Sequence, residues 1–149
     1  MKKAINSFTM RFPSRSNNEA FARASAAAFI AQLDPTLDEL NDIKTAVSEA
    51  VTNCIVHGYR DTVGSITMTV KIVEPDTVEI TVRDQGCGID DLARARTPLF
   101  TTGGAERSGM GFTIMESFMD KLSVRSAPGK GTVVRMCKAL RQRQPGSGR

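Results

Sequence analysis

Thr36-Leu37-Asp38-Glu39-Leu40-Asn41-Asp42-Ile43-Lys44-Thr45-Ala46-Val47-Ser48-Glu49-Ala50-Val51-Thr52-Asn53-Cys54-Ile55-Val56-His57-Gly58 carries the strongest helical signal in the chain. Thr36 and Glu39 form a capping box: the hydroxyl serves the Glu39 amide and the carboxylate reaches back to the Thr36 amide. Gly58 is placed to take a left-handed conformation and close the other end. A helix from Leu37 to His57 would span about 30 Å, the width of a small domain. Leu40, Ile43, Val47, Ala50, Val51 and Cys54 recur at helical spacing and predict a core stripe. Glu49 and Asn53 stand one turn apart on another face. A carboxylate and a carboxamide so placed suit proton acceptance and a divalent cation, and taken alone also suit a plain solvated face.

The same alternation and capping rules order the rest of the chain. Ser7 to Phe12 alternates and predicts a half-buried strand ended by Pro13. Ser16 and Glu19 repeat the capping-box spacing and open a helix running to about Leu33. Its Ala-rich middle, with Phe21, Ala24, Ala28 and Phe29, is expected to pack closely, with Arg23 on the polar side. Asp34-Pro35 stops it. Ile66 to Ile72 and Val78 to Val82 alternate on either side of Glu74-Pro75-Asp76 and predict a hairpin. Phe100 to Ser108, with Gly103 and Gly104, lacks any apolar period and is expected to be mobile. Gly109 to Met119 predicts a helix with a core-lining face. Lys121 to Ser126, a Pro128-Gly129 turn and Thr132 to Leu140 predict a last hairpin. Helices grouped with antiparallel hairpins give an α+β fold, a two-layer α/β sandwich on a mostly antiparallel sheet.

The 149 residues suit one domain, expected over residues 1–140. The apolar run Ala26 to Ala31 falls far short of the ~20 residues that span a bilayer. Met1-Lys2-Lys3-Ala4 does not lead into an apolar stretch, so no signal peptide and no membrane association are expected. Cys54, Cys87 and Cys137 lack metal-ligand or disulfide-framework spacing, which fits a reducing cytoplasm. The net charge of +4 is concentrated in residues 141–149, a stretch expected to be a disordered basic tail. With Arg141, Arg143 and Arg149 set aside, 17 basic side chains face 16 acidic ones, which does not indicate direct binding of nucleic acid.

Three stretches fall at the ends of regular elements. Glu49-x-x-x-Asn53 is the first. Asp84-Gln85-Gly86-Cys87-Gly88 follows a strand, where an acid can accept from a ligand and glycines permit close backbone approach. Gly109-Met110-Gly111 opens a helix, whose first amides would cradle phosphates. Alone, the second is also a plain turn and the third a flexible loop. Together, in this order, they are far more specific.

These stretches resemble the boxes of the GHKL (Bergerat) superfamily of ATPases and kinases. Glu49 to Asn53 looks like the N box, Asp84 to Gly88 the first glycine box, Gly109 to Gly111 the second, and Lys130-Gly131-Thr132 the last. Ser48 to Asn53, His57-Gly58-Tyr59, Pro98-Leu99-Phe100-Thr101-Thr102 and Glu106 to Phe112 narrow the likeness, which runs from about Phe8 to Leu140, to the bacterial anti-sigma serine kinases, sporulation members foremost. The resemblance implies ATP or ADP and Mg²⁺ as ligands and Glu49 as general base toward a protein serine. Asn53 would bind Mg²⁺. Asp84 would accept from the adenine amino group, with Gly86, Gly88 and Thr132 beside it. Thr97 to Ser108 would form a lid. Arg107, Ser108, Gly109, Met110 and Gly111 would lie along the phosphates, with Arg107 toward the γ-phosphate.

The resemblance also implies two partners: a sigma factor of the sporulation (sigma F) type, which would be sequestered, and an anti-anti-sigma protein, which would be phosphorylated. It further implies a homodimer and places Arg23 on the surface offered to partners. Cys87 occupies a variable slot in the first glycine box. Thr101 to Ala105 lacks the lysine that relatives often carry in the lid. Rival readings are a general-stress-type switch kinase, a sigma-binding module that holds nucleotide without transferring phosphate, and a detached histidine-kinase catalytic domain. A phosphoacceptor helix would be needed for the last, and His57, the single histidine, reads instead as a helix-end residue.

Overall fold

The computed structural model describes residues 3–60, 62–88 and 110–140. Strand β1 (Ala4–Pro13) leads into helix α1 (Asn17–Ile30), a short 3₁₀ turn (Ala31–Leu33) and helix α2 (Leu37–Asn53). A π-helical turn (Cys54–Gly58) follows, then β2 (Ser65–Val73), β3 (Thr77–Asp84), helix α3 (Gly111–Phe118), β4 (Lys121–Ser126) and β5 (Thr132–Ala139). The strands form one sheet in the order β1-β2-β3-β5-β4, and every neighbouring pair is antiparallel. Helices α1 and α3 both pack on α2. The expected two-layer α+β sandwich is the architecture observed.

Alternation along the strands sets the core. Met68 stands opposite Met10 and Val82, and Val70 opposite Phe8 and Ile80. Ile80 and Val82 continue across to Met136 and Val134. These residues meet Ile43, Ala46, Val47, Ala50 and Val51 of α2 in one cluster. Each large aliphatic side chain so enclosed contributes about 1.5–3 kcal/mol of transfer free energy. The other sheet face is solvated, with the Thr9 and Thr69 hydroxyls 3.0 Å apart and Arg135 paired to Glu79 at 2.7 Å. The Lys138 ammonium donates to the Phe118 carbonyl at 2.9 Å and lies 3.7 Å from Asp42, tying the end of α3 and the start of α2 to β5. Among the described residues no helix is long and apolar enough to cross a membrane.

The Thr36 capping box is present in full, at 3.1 Å from the Glu39 amide to the hydroxyl and 2.8 Å from the Thr36 amide to the carboxylate. The second box is not. Arg15 and Asn18 amides bond to the Pro13 and Arg15 carbonyls, so the chain is already coiled before Ser16. Ser16 then has a helical backbone and caps nothing, and Glu19 instead holds Arg23 at 2.9 Å. The buried stripe of α1 is Ala22, Ala26 and Ile30, whereas Phe21 is 59% exposed and Ala24 and Ala28 are also outside. A run of alanines offers too little hydrophobic contrast to choose its own inward face. Phe29 still packs on Phe8, ring centres 4.8 Å apart.

Gly58 also departs from expectation. The positive-φ residues among those described are Asp34, Gly88, Gly129 and Gly131, and Gly58 is not one of them. The helix ends through a wider turn, its Tyr59 amide bonding to the Cys54 carbonyl at 3.0 Å. Asp34, at φ 51°, closes the 3₁₀ turn where Asp34-Pro35 was expected to stop the first helix.

Candidate functional site

Helix α2 delivers polar groups to two places. At the first, Glu49 and Asn53 reach the start of α3. A Cβ at Gly111 would lie 3.1 Å from Asn53 Nδ2, 3.2 Å from Asn53 Oδ1 and 3.2 Å from Glu49 Oε1. A side chain at 111 would thus crowd both groups, which would have to give way by a few tenths of an ångström. Met110 precedes α3 with a helical backbone and no side-chain cap. The first amides of α3, which carry the positive end of the helix dipole, thus open beside a carboxylate and a carboxamide.

At the second, the π-helical turn carries Gly58 to Asp84, the last residue of β3. A Cβ on Gly58 would sit 3.0 Å from Cγ and both carboxylate oxygens of Asp84. That approach accounts for the glycine where backbone conformation does not. Asp84 as a residue is 4% exposed; its Oδ1 accepts from the Gly86 amide at 2.8 Å, and the Thr132 amide and the Cys54 thiol also donate to the carboxylate. Burial raises the Asp84 pKa above the ordinary carboxylate value, with those donors pulling the other way. Burial likewise raises the Cys54 thiol, and the neighbouring Asp84 charge adds to it.

The loop after Asp84 is built from close backbone contacts. A Cβ at Gly86 would fall 2.0 Å from the Gly58 carbonyl oxygen, and one at Gly88, whose φ is 76°, 2.0 Å from that of Ala127. Gly131, at φ 81°, would meet the Asp84 carbonyl oxygen at 2.2 Å. The Cys87 amide bonds to the Gly58 carbonyl at 2.9 Å and its thiol to the His57 carbonyl at 3.1 Å. Thr132 shares a 2.8 Å hydrogen bond with Ser126. Beneath the loop, the Tyr59 hydroxyl donates to the Ser65 carbonyl and accepts from the Gln85 amide, both at 2.7 Å. From Asn53 to Gly58 the chain runs five residues, about 7 Å at helical rise. One end faces a helix N-terminus suited to phosphates and the other a buried acceptor suited to a base.

The profile of the histidine kinase-like ATPase domain matches residues 12–138. The chain belongs to the histidine kinase-like ATPase family. Within that family its curated relatives include proteins named anti-sigma F factor. One, from Thermoanaerobacter sp. (strain X514), is 56% identical over 136 residues, 91% of this chain and 94% of the relative. Another, from Geobacillus stearothermophilus, is 55% identical over 140 residues, 93% and 96% of the two chains. Among solved structures, the RsbU and RsbW domains of a Mycobacterium tuberculosis protein superpose with a TM-score of 0.68 at 20% identity, over 91% of this chain and 32% of that one. The histidine kinase domain of a blue-light activated kinase from Erythrobacter litoralis gives 0.56, over 82% and 60%. At such identities the likeness is one of fold.

For this ATPase-family chain, the structure brings Glu49, Asn53 and Gly111 together at one end and Asp84, Gly86, Gly88 and Thr132 at the other. Met110 directly precedes α3. Thr97, Arg107, Ser108, Gly109, the expected lid from Thr97 to Ser108 and the tail 141–149 lie outside the described residues. Arg23 belongs to neither end. With Asn41, Lys44, Thr45 and Ser48 it lines a recess of about 300 Å³ between α1 and α2. Sequence reasoning named Tyr59 only within the His57-Gly58-Tyr59 stretch and gave neither it nor Cys54 a role at this site. Cys54 reads as one more apolar residue in the stripe. Tyr59 is the single tyrosine of the chain and follows a glycine at a helix end, a place where a buried phenol needs polar partners.

Proposed function

We propose that this protein is a switch kinase that binds ATP, holds a sigma factor of the sporulation (sigma F) type in a nucleotide-dependent way, and phosphorylates a serine of an anti-anti-sigma protein. The observation that carries the reading is the meeting of Glu49 and Asn53 with the N-terminus of α3 at Gly111. The names of the curated relatives supply the anti-sigma half.

In this reading Asp84 accepts from the adenine amino group and the α3 amides take the phosphates. Asn53 holds Mg²⁺, which when bound would neutralise phosphate charge. Among the described residues no group of three His, Cys, Asp or Glu side chains could hold a metal, so Asn53 would have to share the ion with phosphate oxygens, as Mg²⁺ sites commonly do. Glu49 takes the proton of the substrate serine as its oxygen bonds to the γ-phosphorus. The bond from that phosphorus to the bridging oxygen breaks and ADP leaves. Arg23 and Lys44, lining one recess, would receive an acidic group of a partner, and the active unit is taken to be a homodimer.

The test incubates the protein with γ-labelled ATP and the anti-anti-sigma protein of the same organism, then treats the product with acid. Label that survives on the partner supports a serine kinase. Acid-labile label would indicate a histidine kinase, and absence of transfer a pure binding module.

A further inference from the structure

We propose that Tyr59 is a positioning residue for base recognition: its buried hydroxyl fixes the Asp84-Gln85-Gly86 loop and so sets where the Asp84 carboxylate meets the purine. The inference rests on Asp84 being the adenine acceptor, as proposed above, and assigns a residue that acts through it.

Tyr59 is held at both ends. Its amide bonds to the Cys54 carbonyl inside the π-helical turn at 3.0 Å. Its ring closely abuts Gly64, where a Cβ would come within 2.2 Å of a ring carbon. The phenol then spans two segments, donating to the carbonyl of Ser65, the first residue of β2, and accepting from the amide of Gln85, the first residue beyond β3. That amide has left the sheet ladder, and the phenol supplies the acceptor that the ladder no longer does. Next along the chain, the Gly86 amide grips Asp84 Oδ1 at 2.8 Å. The carboxylate is therefore flanked by two anchored residues on its own loop, and by Gly58 and the Cys54 thiol, both from the turn that Tyr59 terminates. A loop anchored in this way presents the acceptor in one place. Loss of the phenol hydroxyl frees Gln85 and lets the carboxylate wander, which weakens a bond made to the 6-amino group and spares contacts made elsewhere on the nucleotide.

The test compares ATP with purine riboside triphosphate, which lacks the 6-amino group, by calorimetric titration of the wild-type protein, Tyr59→Phe and Gln85→Ala. Wild-type protein should prefer ATP; equal affinities would defeat the Asp84 assignment itself. Given that preference, Tyr59→Phe should shrink it about tenfold by weakening ATP alone, the scale of one hydrogen bond to a charged or buried group. Gln85→Ala keeps the amide and should leave the preference intact. A Tyr59→Phe protein whose preference is unchanged, whether both affinities hold or both fall alike, overturns the proposal. Should that variant not fold, hydrogen exchange of the wild-type protein decides: the Gln85 amide should exchange as slowly as Val82 inside β3, and exchange at the rate of an open loop overturns the assignment.

Discussion

At the residue scale, the site depends on groups held where their own chemistry is unfavourable. Asp84 is buried, and its folded pKa is raised, mainly by burial. A raised carboxyl favours folding fully below the unfolded pKa, about 3.9, and that contribution is lost as pH rises through the folded value. The ionised form at neutral pH therefore costs stability. Asp84→Asn should melt at a higher temperature than wild type at pH 8, with the gain gone near pH 3, while its preference for ATP over purine riboside triphosphate collapses. Melting curves at the two pH values check the sign. Asn53→Ala should weaken Mg²⁺-ATP binding, measured by titration with and without the metal, because Asn53 is the side chain assigned to the ion beside the start of α3. Glu49, Asn53 and Asp84 were legible in the sequence because polar groups recur at element ends. Tyr59 and Cys54 were not, because their roles come from partners twenty-six and thirty residues away, Gln85 and Asp84.

At the scale of elements, strands and α2 declared themselves and α1 did so only in part. The alternation in Ile66 to Ile72 and Val78 to Val82 maps directly onto buried positions. The α2 stripe and its capping box are both present. Thr36→Ala should cost about 1 kcal/mol of stability, read from denaturant unfolding. Ser16 and Gly58 show why local signals fail: a preceding turn coils the chain before Ser16, and at Gly58 it is the close Asp84 carboxylate, not a left-handed backbone, that favours glycine. Gly111 separates function from stability. A methyl there meets the Asn53 and Glu49 side chains, which can shift, so Gly111→Ala should melt within a few degrees of wild type yet bind ATP more weakly. Gly88→Ala should instead unfold the loop region, because φ is positive and the Ala127 carbonyl is in the way.

At the scale of the molecule, one helix and its terminal turn join the two ends of the site, while α1 and α2 present a separate cationic recess. Arg23 is half-exposed and its bond to Glu19 is worth at most a few tenths of a kcal/mol. Arg23→Ala should thus leave thermal stability nearly unchanged and weaken capture of the sigma factor or the anti-anti-sigma protein, measured by surface binding of each. Binding of both at wild-type strength would make Arg23 an ordinary solvated charge. The central claim is that the chain transfers phosphate to a protein serine with Glu49 as base. Its most direct test is the rate of acid-stable phosphate transfer from ATP to the anti-anti-sigma protein by wild type and Glu49→Gln, with ATP affinity titrated in parallel. The account predicts transfer slowed about 10² to 10⁴-fold, the usual contribution of a general base, at nearly unchanged ATP affinity. Transfer by Glu49→Gln at the wild-type rate would contradict it.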